Sequence, residues 1–408
     1  MQRSVLEQVF REAVAACEGG ALMHAAAGAP DALPATPLYL LGAGKAAVAM
    51  ARGLLERVGP QVAGGQLTTK RGHGAALPGL EVIEAAHPVP DESSLAAGRE
   101  ALARAGALSI HDTLVVLLSG GASALWCVPA PGLSLADKRA ATMALLRAGV
   151  DIGRLNAVRK HLSALKGGRL AEAAGAGTIS VFLLSDVLGD AVDVVGSGPC
   201  VPDHSTLAEA LAVARSVPGL PDAVLRFLEQ GADETPKRMR DGVTVRVIGN
   251  HDTLRAAATR AALGRGLRAL AVPPDADDVA ACATRWAGLA PAPPGALYVG
   301  GGEPTVRAPL GRLGRGGRAQ HLALLVARAL RGRGGVFLAA GSDGTDGSTE
   351  AAGAIVDGAT WAEAERRGLD PEAALESFDS HRVHAALGTL VSTGPTGTNL
   401  LDLHLYAA

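Results

Sequence analysis

The sequence predicts an α/β protein of two domains, with mostly parallel strands in both halves. Three observations predict it. Short, continuous apolar runs rich in β-branched residues, such as TLVVLL at 113–118 and TISVFLL at 178–184, fit strands covered on both faces. Stretches with helical spacing separate such runs almost throughout, which is the rhythm of βαβ units. At 408 residues, the chain also exceeds the size at which a single core keeps growing.

The opening twenty residues, MQRSVLEQVFREAVAACEGG, read as one amphipathic helix with charges along its length, unlike a signal peptide. A loop rich in Ala, Gly and Pro at 25–37 leads to the first strand. Residues 38–50 carry an apolar run into Gly42-Ala43-Gly44-Lys45 and then at once into an alanine-rich helix over 45–58, with Lys45 in its first turn. Unpaired N–H groups at a helix start and the positive end of its dipole attract anions, and a lysine adds to that pull. An ordinary βα turn with a solvated lysine fits the same residues. The spacing is neither that of a phosphate loop nor that of a G-x-G-x-x-G dinucleotide turn.

Short strands are expected at 66–69 and 81–86, around the basic turn Lys70-Arg71-Gly72-His73-Gly74. After His87-Pro88-Val89-Pro90, Ser93 or Ser94 is expected to cap a helix, with Asp91 and Glu92 at its positive end. The 113–118 strand delivers Ser119-Gly120-Gly121-Ala122-Ser123, small residues and hydroxyls that close around an anion or simply turn tightly. Helices follow at 134–148 and 156–174. In the second, Arg159 and Lys166 are seven apart and Lys166 and Arg169 three apart, so they share a face, either solvated or turned to a phosphate.

The 178–184 strand delivers Ser185-Asp186-Val187-Leu188-Gly189-Asp190, then Asp193 and Gly196-Ser197-Gly198-Pro199. Open α/β sheets bind ligands at the C-terminal ends of their strands, which makes Asp186 a stronger candidate for chemistry than an acid on a helix face. Capping a turn is its alternative role. Helices at 205–216 and 222–230 precede a charged segment, GADETPKRMRD at 231–241, where the boundary falls, giving domains 1–235 and 242–408.

Beyond it, strands at 243–248 and 267–272 precede one at 296–299 that runs into Gly300-Gly301-Gly302-Glu303-Pro304-Thr305. Gly314-Arg315-Gly316-Gly317-Arg318 opens a helix over 319–330. Its glycines admit close approach of a ligand, and Arg318 offers a fork for carboxylate or phosphate. A strand at 336–340 feeds Gly341-Ser342-Asp343-Gly344-Thr345-Asp346-Gly347-Ser348, which lacks the spacing of a calcium loop. Short strands at 354–356 and 389–391 lead to a polar turn ending in Thr398-Asn399 and a final apolar run at 400–406.

Composition narrows the partners to a small molecule. A net charge of −2 gives no argument for nucleic acid or an anionic membrane. No apolar run approaches the roughly 20 residues that span a bilayer. Cys17, Cys127, Cys200 and Cys282 are too dispersed for a metal or redox motif and suit buried thiols in a reducing cytoplasm. Glycine-rich loops at strand ends, bearing Lys45, Arg318 and the acids Asp186, Asp190, Glu303, Asp343 and Asp346, suit phosphoryl transfer with Mg²⁺ held by carboxylates and phosphate oxygens. One carboxylate would act as base.

The ordered series Gly42-Ala43-Gly44-Lys45-Ala46-Ala47, Ser119 to Ser123, Arg159-Lys160-His161-Leu162-Ser163, Lys166-Gly167-Gly168-Arg169-Leu170, Ser185-Asp186-Val187, Gly300 to Thr305, Gly314 to Arg318, Asp343 to Gly347 and Thr393 to Asn399 resembles class II glycerate kinases from end to end. The resemblance implies an N-terminal Rossmann-like α/β/α domain with a mostly parallel sheet and a C-terminal MOFRL α/β domain with a mixed sheet. It implies ATP- and Mg²⁺-dependent phosphorylation of D-glycerate to 2-phosphoglycerate in an interdomain cleft of a cytoplasmic enzyme; a homodimer is the candidate assembly. Lys45, Arg318 and Asp186 become the candidate catalytic residues. Gly42, Gly44, Ser119, Gly120, Gly121, Ser123, Lys166, Gly301, Gly302, Thr345 and Asn399 are candidates for binding substrate or nucleotide, and Asp186, Asp190, Glu303 and Asp343 for the metal.

The chain departs from the family where Gly317-Arg318-Ala319-Gln320-His321 stands for the usual Gly-Arg-Asn-Gln-Glu, at Leu188 in place of proline, and at Leu401 in place of a polar residue. The changes at Ala319 and His321 raise a second reading, a nucleotide- or hydroxyacid-binding protein with weakened transfer. Members of the family also carry the label hydroxypyruvate reductase, a chemistry for which this sequence shows no dinucleotide fingerprint.

Overall fold

A computed structural model describes residues 3–29, 31–230, 233–306 and 314–408. Residues 231 and 232, at the start of the expected boundary segment, lie outside the described residues. The chain divides into two compact units. One comprises Gly19–Ser185 with Asp190–Ile248, the other Met1–Glu18 with Asp186–Gly189 and Gly249–Ala408. The first helix, Arg3–Ala16, therefore belongs to the unit that holds the second half of the chain, and a separate helix, Gly19–Ala27, follows it where the sequence suggested one helix and a loop.

The first sheet consists of β1 (Leu38–Ala43), β2 (Val62–Lys70), β3 (Leu80–Ala85), β4 (Thr113–Leu118), β5 (Thr178–Leu184) and β6 (Val243–Gly249), in the order β3-β2-β1-β4-β5-β6. The pairs β3-β2, β2-β1, β1-β4 and β4-β5 are parallel. β4 is buried along its whole length, as its unbroken apolar run requires. This is the doubly wound order, and it reverses between β1 and β4, where a crevice opens at the strand C-termini. That topology sets Gly42 to Lys45 beside Ser119 to Ser123.

Local chemistry fixes the helices. Asp91, rather than Ser93 or Ser94, caps the Glu92–Gly106 helix: its carboxylate accepts from Ser93 N and Ser94 N, and Ser94 Oγ accepts from Asp91 N in return. The expected basic helix over 156–174 is broken. One helix, Ile152–His161, ends before a turn, and a short one, Arg169–Ala173, begins after Gly167 and Gly168, both at positive φ.

The second sheet holds β7 (Arg268–Ala271), β8 (Ala296–Gly302), β9 (Val336–Gly341), β10 (Gly353–Asp357), β11 (Leu390–Val391) and β12 (Asp402–Ala407), in the order β11-β10-β9-β12-β8-β7. Only β7-β8 is parallel. The other pairs are antiparallel, so the sheet is mixed, and the mostly parallel arrangement suggested by the βα rhythm does not extend to this half. The cause is β12: the chain's last strand inserts between β8 and β9 and runs against both. Its core is built on Trp286, Phe337 and Tyr406, packed with the Arg318–Ala329 helix. Among the described residues, no helix is long and apolar enough to cross a membrane.

Candidate active site

In the unit built on the first sheet, the loops after β1 and β4 are tied together by their main chains. Lys45 N donates to Gly120 O (2.9 Å), Ser119 N to Ala43 O (3.1 Å), and Ala46 N to Ser119 Oγ (3.0 Å). Gly44 permits this approach: at φ +138°, a Cβ there would lie 2.0 Å from Ser119 Oγ. Lys45 stands one residue ahead of the N-cap Ala46, and the helix begins at Ala47, so the lysine belongs to the turn rather than to the first helical turn. A Cβ on Gly121 would lie 3.1 Å from the His87 ring and 3.6 Å from Lys45 Cγ, which places His87 at the Lys45 turn. Sequence reasoning passed over His87 as part of a proline-rich turn.

The basic segment is not a solvated face. Lys166 is fully buried and its Nζ donates to the carbonyls of Ser123 (2.8 Å), Trp126 (3.1 Å) and Gly196 (3.5 Å). Lys160, also buried, pairs with Asp193 (2.9 Å) and Asp203 (3.1 Å). With the helix ending at His161, Arg159 and Lys166 no longer share a helix face; the glycine turn nevertheless carries both to Ser123, where Arg159 Nη2 donates to Oγ (2.5 Å). Burial, reinforced by the Lys138 and Arg159 charges, pulls Lys166 well below the ordinary lysine range.

In the other unit, the candidates gather where β8 and β9 end and β12 begins. Arg318 donates Nε and Nη2 to the two carboxylate oxygens of Asp402 (2.7 and 3.1 Å) and Nη1 to Glu303 (2.6 Å). Burial works against the guanidinium charge, but Asp402 and Glu303 outweigh it and hold the group protonated. Asp402 is missing from the sequence-level set, and its signal was an acid opening an otherwise apolar strand. Leu401 beside it adopts φ +69°, and its carbonyl accepts from Ser342 N (2.9 Å). Asp343 accepts from Thr345 N (2.9 Å) and Thr345 Oγ1 (3.1 Å), and Asp186 accepts from Asn399 Nδ2 (3.1 Å).

The glycine turn before Arg318 receives a carboxyl group from its own chain. Asp346 accepts from Ala319 N (3.1 Å) and Gln320 N (2.8 Å), occupying the start of the Arg318–Ala329 helix, and a Cβ on Gly317 would lie 2.1 Å from Asp346 Oδ1. Burial and the Asp402 charge raise Asp346 to about 7. Gly301 and Gly302 serve similar approaches, to the Asp402 and Asp275 carbonyls. Ala319 lies in the core, and His321 is buried. His321 stacks on Phe378 with ring centroids 4.7 Å apart, and burial brings it down to about 4, so it is neutral.

Of the metal candidates, Asp186, Glu303 and Asp343 belong to this unit and Asp190 to the other. No group of three or more His, Cys, Asp or Glu residues is placed to hold a metal among the described residues. Mg²⁺ in nucleotide sites needs only one or two carboxylates alongside phosphate oxygens, and the oxygen-only chemistry of these side chains suits it.

Residues 5–229 match a family described as a domain of unknown function, DUF4147, and residues 296–402 match the MOFRL family. A protein of Agrobacterium vitis, provisionally named hydroxypyruvate reductase, is 38% identical over 98% of this chain and 93% of its own. The D-glycerate 2-kinase of Thermotoga maritima is 40% identical over 90% of this chain and 89% of its own. A crystal structure of glycerate kinase from Thermotoga maritima superposes with a TM-score of 0.87 at 35% identity, covering 99% of each chain.

Proposed function

We propose, because the chain belongs to the glycerate kinase family with a C-terminal MOFRL domain, that it transfers the γ-phosphoryl group of ATP to the 2-hydroxyl of D-glycerate. The observation that carries this reading is the 40% identity to a D-glycerate 2-kinase across nearly the whole of both chains. Supporting it, the loops after β1 and β4 lie at the reversal point of a doubly wound sheet, where such folds bind their ligands.

In this reading, the Lys45 turn and the Ser119 to Ser123 loop receive phosphates, and Arg318, oriented by Asp402, neutralises charge on substrate. Asp186, held by Asn399, is the leading Mg²⁺ ligand, with Asp190, Glu303 and Asp343 as further candidates. Mg²⁺ would spread the charge of the β- and γ-phosphates. The catalysis asked of the protein is positioning and charge neutralisation, with a carboxylate taking the hydroxyl proton. Transfer would take place in a cleft between the domains, in the cytoplasm.

A coupled ADP-release assay with D-glycerate, L-glycerate, hydroxypyruvate and tartronate tests the reading. D-glycerate is expected to turn over fastest and to give 2-phosphoglycerate. Absence of turnover with all four, from folded protein, would sink it. The name of the Agrobacterium vitis relative favours a second reading, hydroxypyruvate reduction, for which NADH oxidation with hydroxypyruvate is the assay.

A further inference from the structure

Lys138, Arg159 and Lys166 lie close enough to disfavour one another's charge, yet none is ion-paired to a carboxylate among the described residues. Their neighbour Lys160, by contrast, has two acids. Lys166 uses three carbonyls and Lys138 two, those of Val128 and Leu162, so both amines are anchored. Arg159 is only half-buried. Two of its five N–H groups have partners, Ser123 Oγ at 2.5 Å and Asn156 Oδ1 at 3.5 Å. Ser123 Oγ in turn lies 2.9 Å from Ser197 Oγ.

Ser197 is held there against its backbone preference. It has φ +62° between Gly196 and Gly198, each at +60°, in a turn fixed by Gly167 N on Ser197 O (3.0 Å) and Gly168 N on Gly198 O (2.8 Å). Glycine adopts such a conformation freely and serine does not, so the hydroxyl at this position is kept in spite of the backbone.

We propose that Arg159, Ser123 and Ser197 form a phosphoryl-oxyanion subsite, backed by the buried amines of Lys138 and Lys166. The charge count selects the ligand class. A monocarboxylate would balance only one of the two cations Arg159 and Lys138, whereas a phosphoryl group brings close to two negative charges and three acceptor oxygens for the guanidinium fork and the hydroxyls. Whether that group belongs to the nucleotide or to the phosphorylated hydroxy acid rests on the kinase reading; the subsite itself does not.

The test is calorimetric titration of inorganic phosphate, ADP and 2-phosphoglycerate into the full chain, as wild type, Arg159→Gln and Ser197→Gly. Arg159→Gln is expected to raise Kd at least tenfold for inorganic phosphate and for the phosphate-bearing ligand that uses the subsite. Ser197→Gly is expected to raise it severalfold while the thermal midpoint holds or rises. Selective loss of ADP binding assigns the subsite to the nucleotide, and selective loss of 2-phosphoglycerate binding assigns it to the acid. A folded Arg159→Gln protein that binds all three as the wild type does, or a wild type that binds none, overturns the proposal. Should Arg159→Gln not fold, Ser197→Gly decides alone, and an unchanged Kd overturns it. Turnover of D-glycerate with unaltered binding by Arg159→Gln would remove the subsite and leave the kinase. Lost phosphate binding in a chain that phosphorylates no hydroxy acid would do the reverse.

Discussion

Arg318 grips both carboxylate oxygens of Asp402, with Nε at 2.7 Å and Nη2 at 3.1 Å, so the fork that the sequence offers to a ligand is already aligned by a residue of its own sheet. Its second partner, Glu303, is half exposed and holds only Nη1, at 2.6 Å. An incoming anion would therefore compete with Glu303, while Asp402 keeps the guanidinium in plane. Asp402→Asn is expected to lower kcat for D-glycerate phosphorylation at least tenfold and to cost about 1–3 kcal/mol of stability, less than a fully buried pair because Arg318 is partly exposed. Arg318→Lys is not expected to substitute, since an ammonium has no fork. Wild-type kinetics from Asp402→Asn would show that the pair only supports the fold.

The main chain of Lys45 helps to fix its turn, where its N–H meets Gly120 O at 2.9 Å. Removing the side chain leaves that bond in place. Lys45→Ala is expected to remain folded and to lose roughly 10²-fold or more in kcat, the scale for deleting one group that stabilises transition-state charge. The check is ADP release paired with a circular-dichroism melt. Unchanged kinetics would take Lys45 out of the mechanism.

The departures at Ala319 and His321 are both buried, and no hydrogen bond joins either side chain to Arg318 among the described residues. Ala319 is buried in the core, and His321 lies flat on Phe378. Their neighbour Gln320 keeps the polar order: Nε2 donates to Thr349 Oγ1 (2.8 Å), and Oε1 lies 2.9 Å from His381 Nδ1. Introducing Asn at 319 and Glu at 321 is expected to lower the thermal midpoint, by burying an amide and a carboxylate, and to raise kcat/KM less than threefold. A large gain in turnover would instead identify these two positions as the cause of a weakened site.

What the sequence made legible follows its local signals. Strands β4 and β5 were readable to the residue because their apolar runs are unbroken, and the loops they deliver contain Ser123 and Asp186. The mixed pairing of the second sheet was not readable from rhythm, because β12 enters the middle of the sheet after a long excursion, and local periodicity says nothing about insertion. The break after His161 was signalled by Gly167-Gly168, but the basic run around it imitated a helix face. The pairing of Arg318 with Asp402, and the occupation of the Arg318 turn by Asp346, join residues 84 and about 27 positions apart, a distance at which spacing rules carry no information.

Lys138 offers a test through pH. Burial brings it down to about 8, so the unfolded chain binds more protons than the folded one between about pH 8 and the ordinary lysine value of 10.5. Stability from this group accordingly rises with pH across that window. Below it, both states are protonated and a constant penalty of about 3 kcal/mol applies. Lys138→Met would remove the penalty without orphaning an acceptor, because Val128 O also receives Ala164 N (3.1 Å) and Leu162 O receives Ala130 N (3.0 Å). The variant is expected to be more stable than wild type at pH 7, with the gap narrowing by about 2 kcal/mol at pH 9.5. Urea unfolding at the two pH values measures the gap; an equal difference at both would show that Lys138 does not titrate in that window. Since the same charge backs the Arg159 subsite, the stabilised variant is also expected to bind inorganic phosphate more weakly at pH 7, which would set the cost of the buried cation against its use.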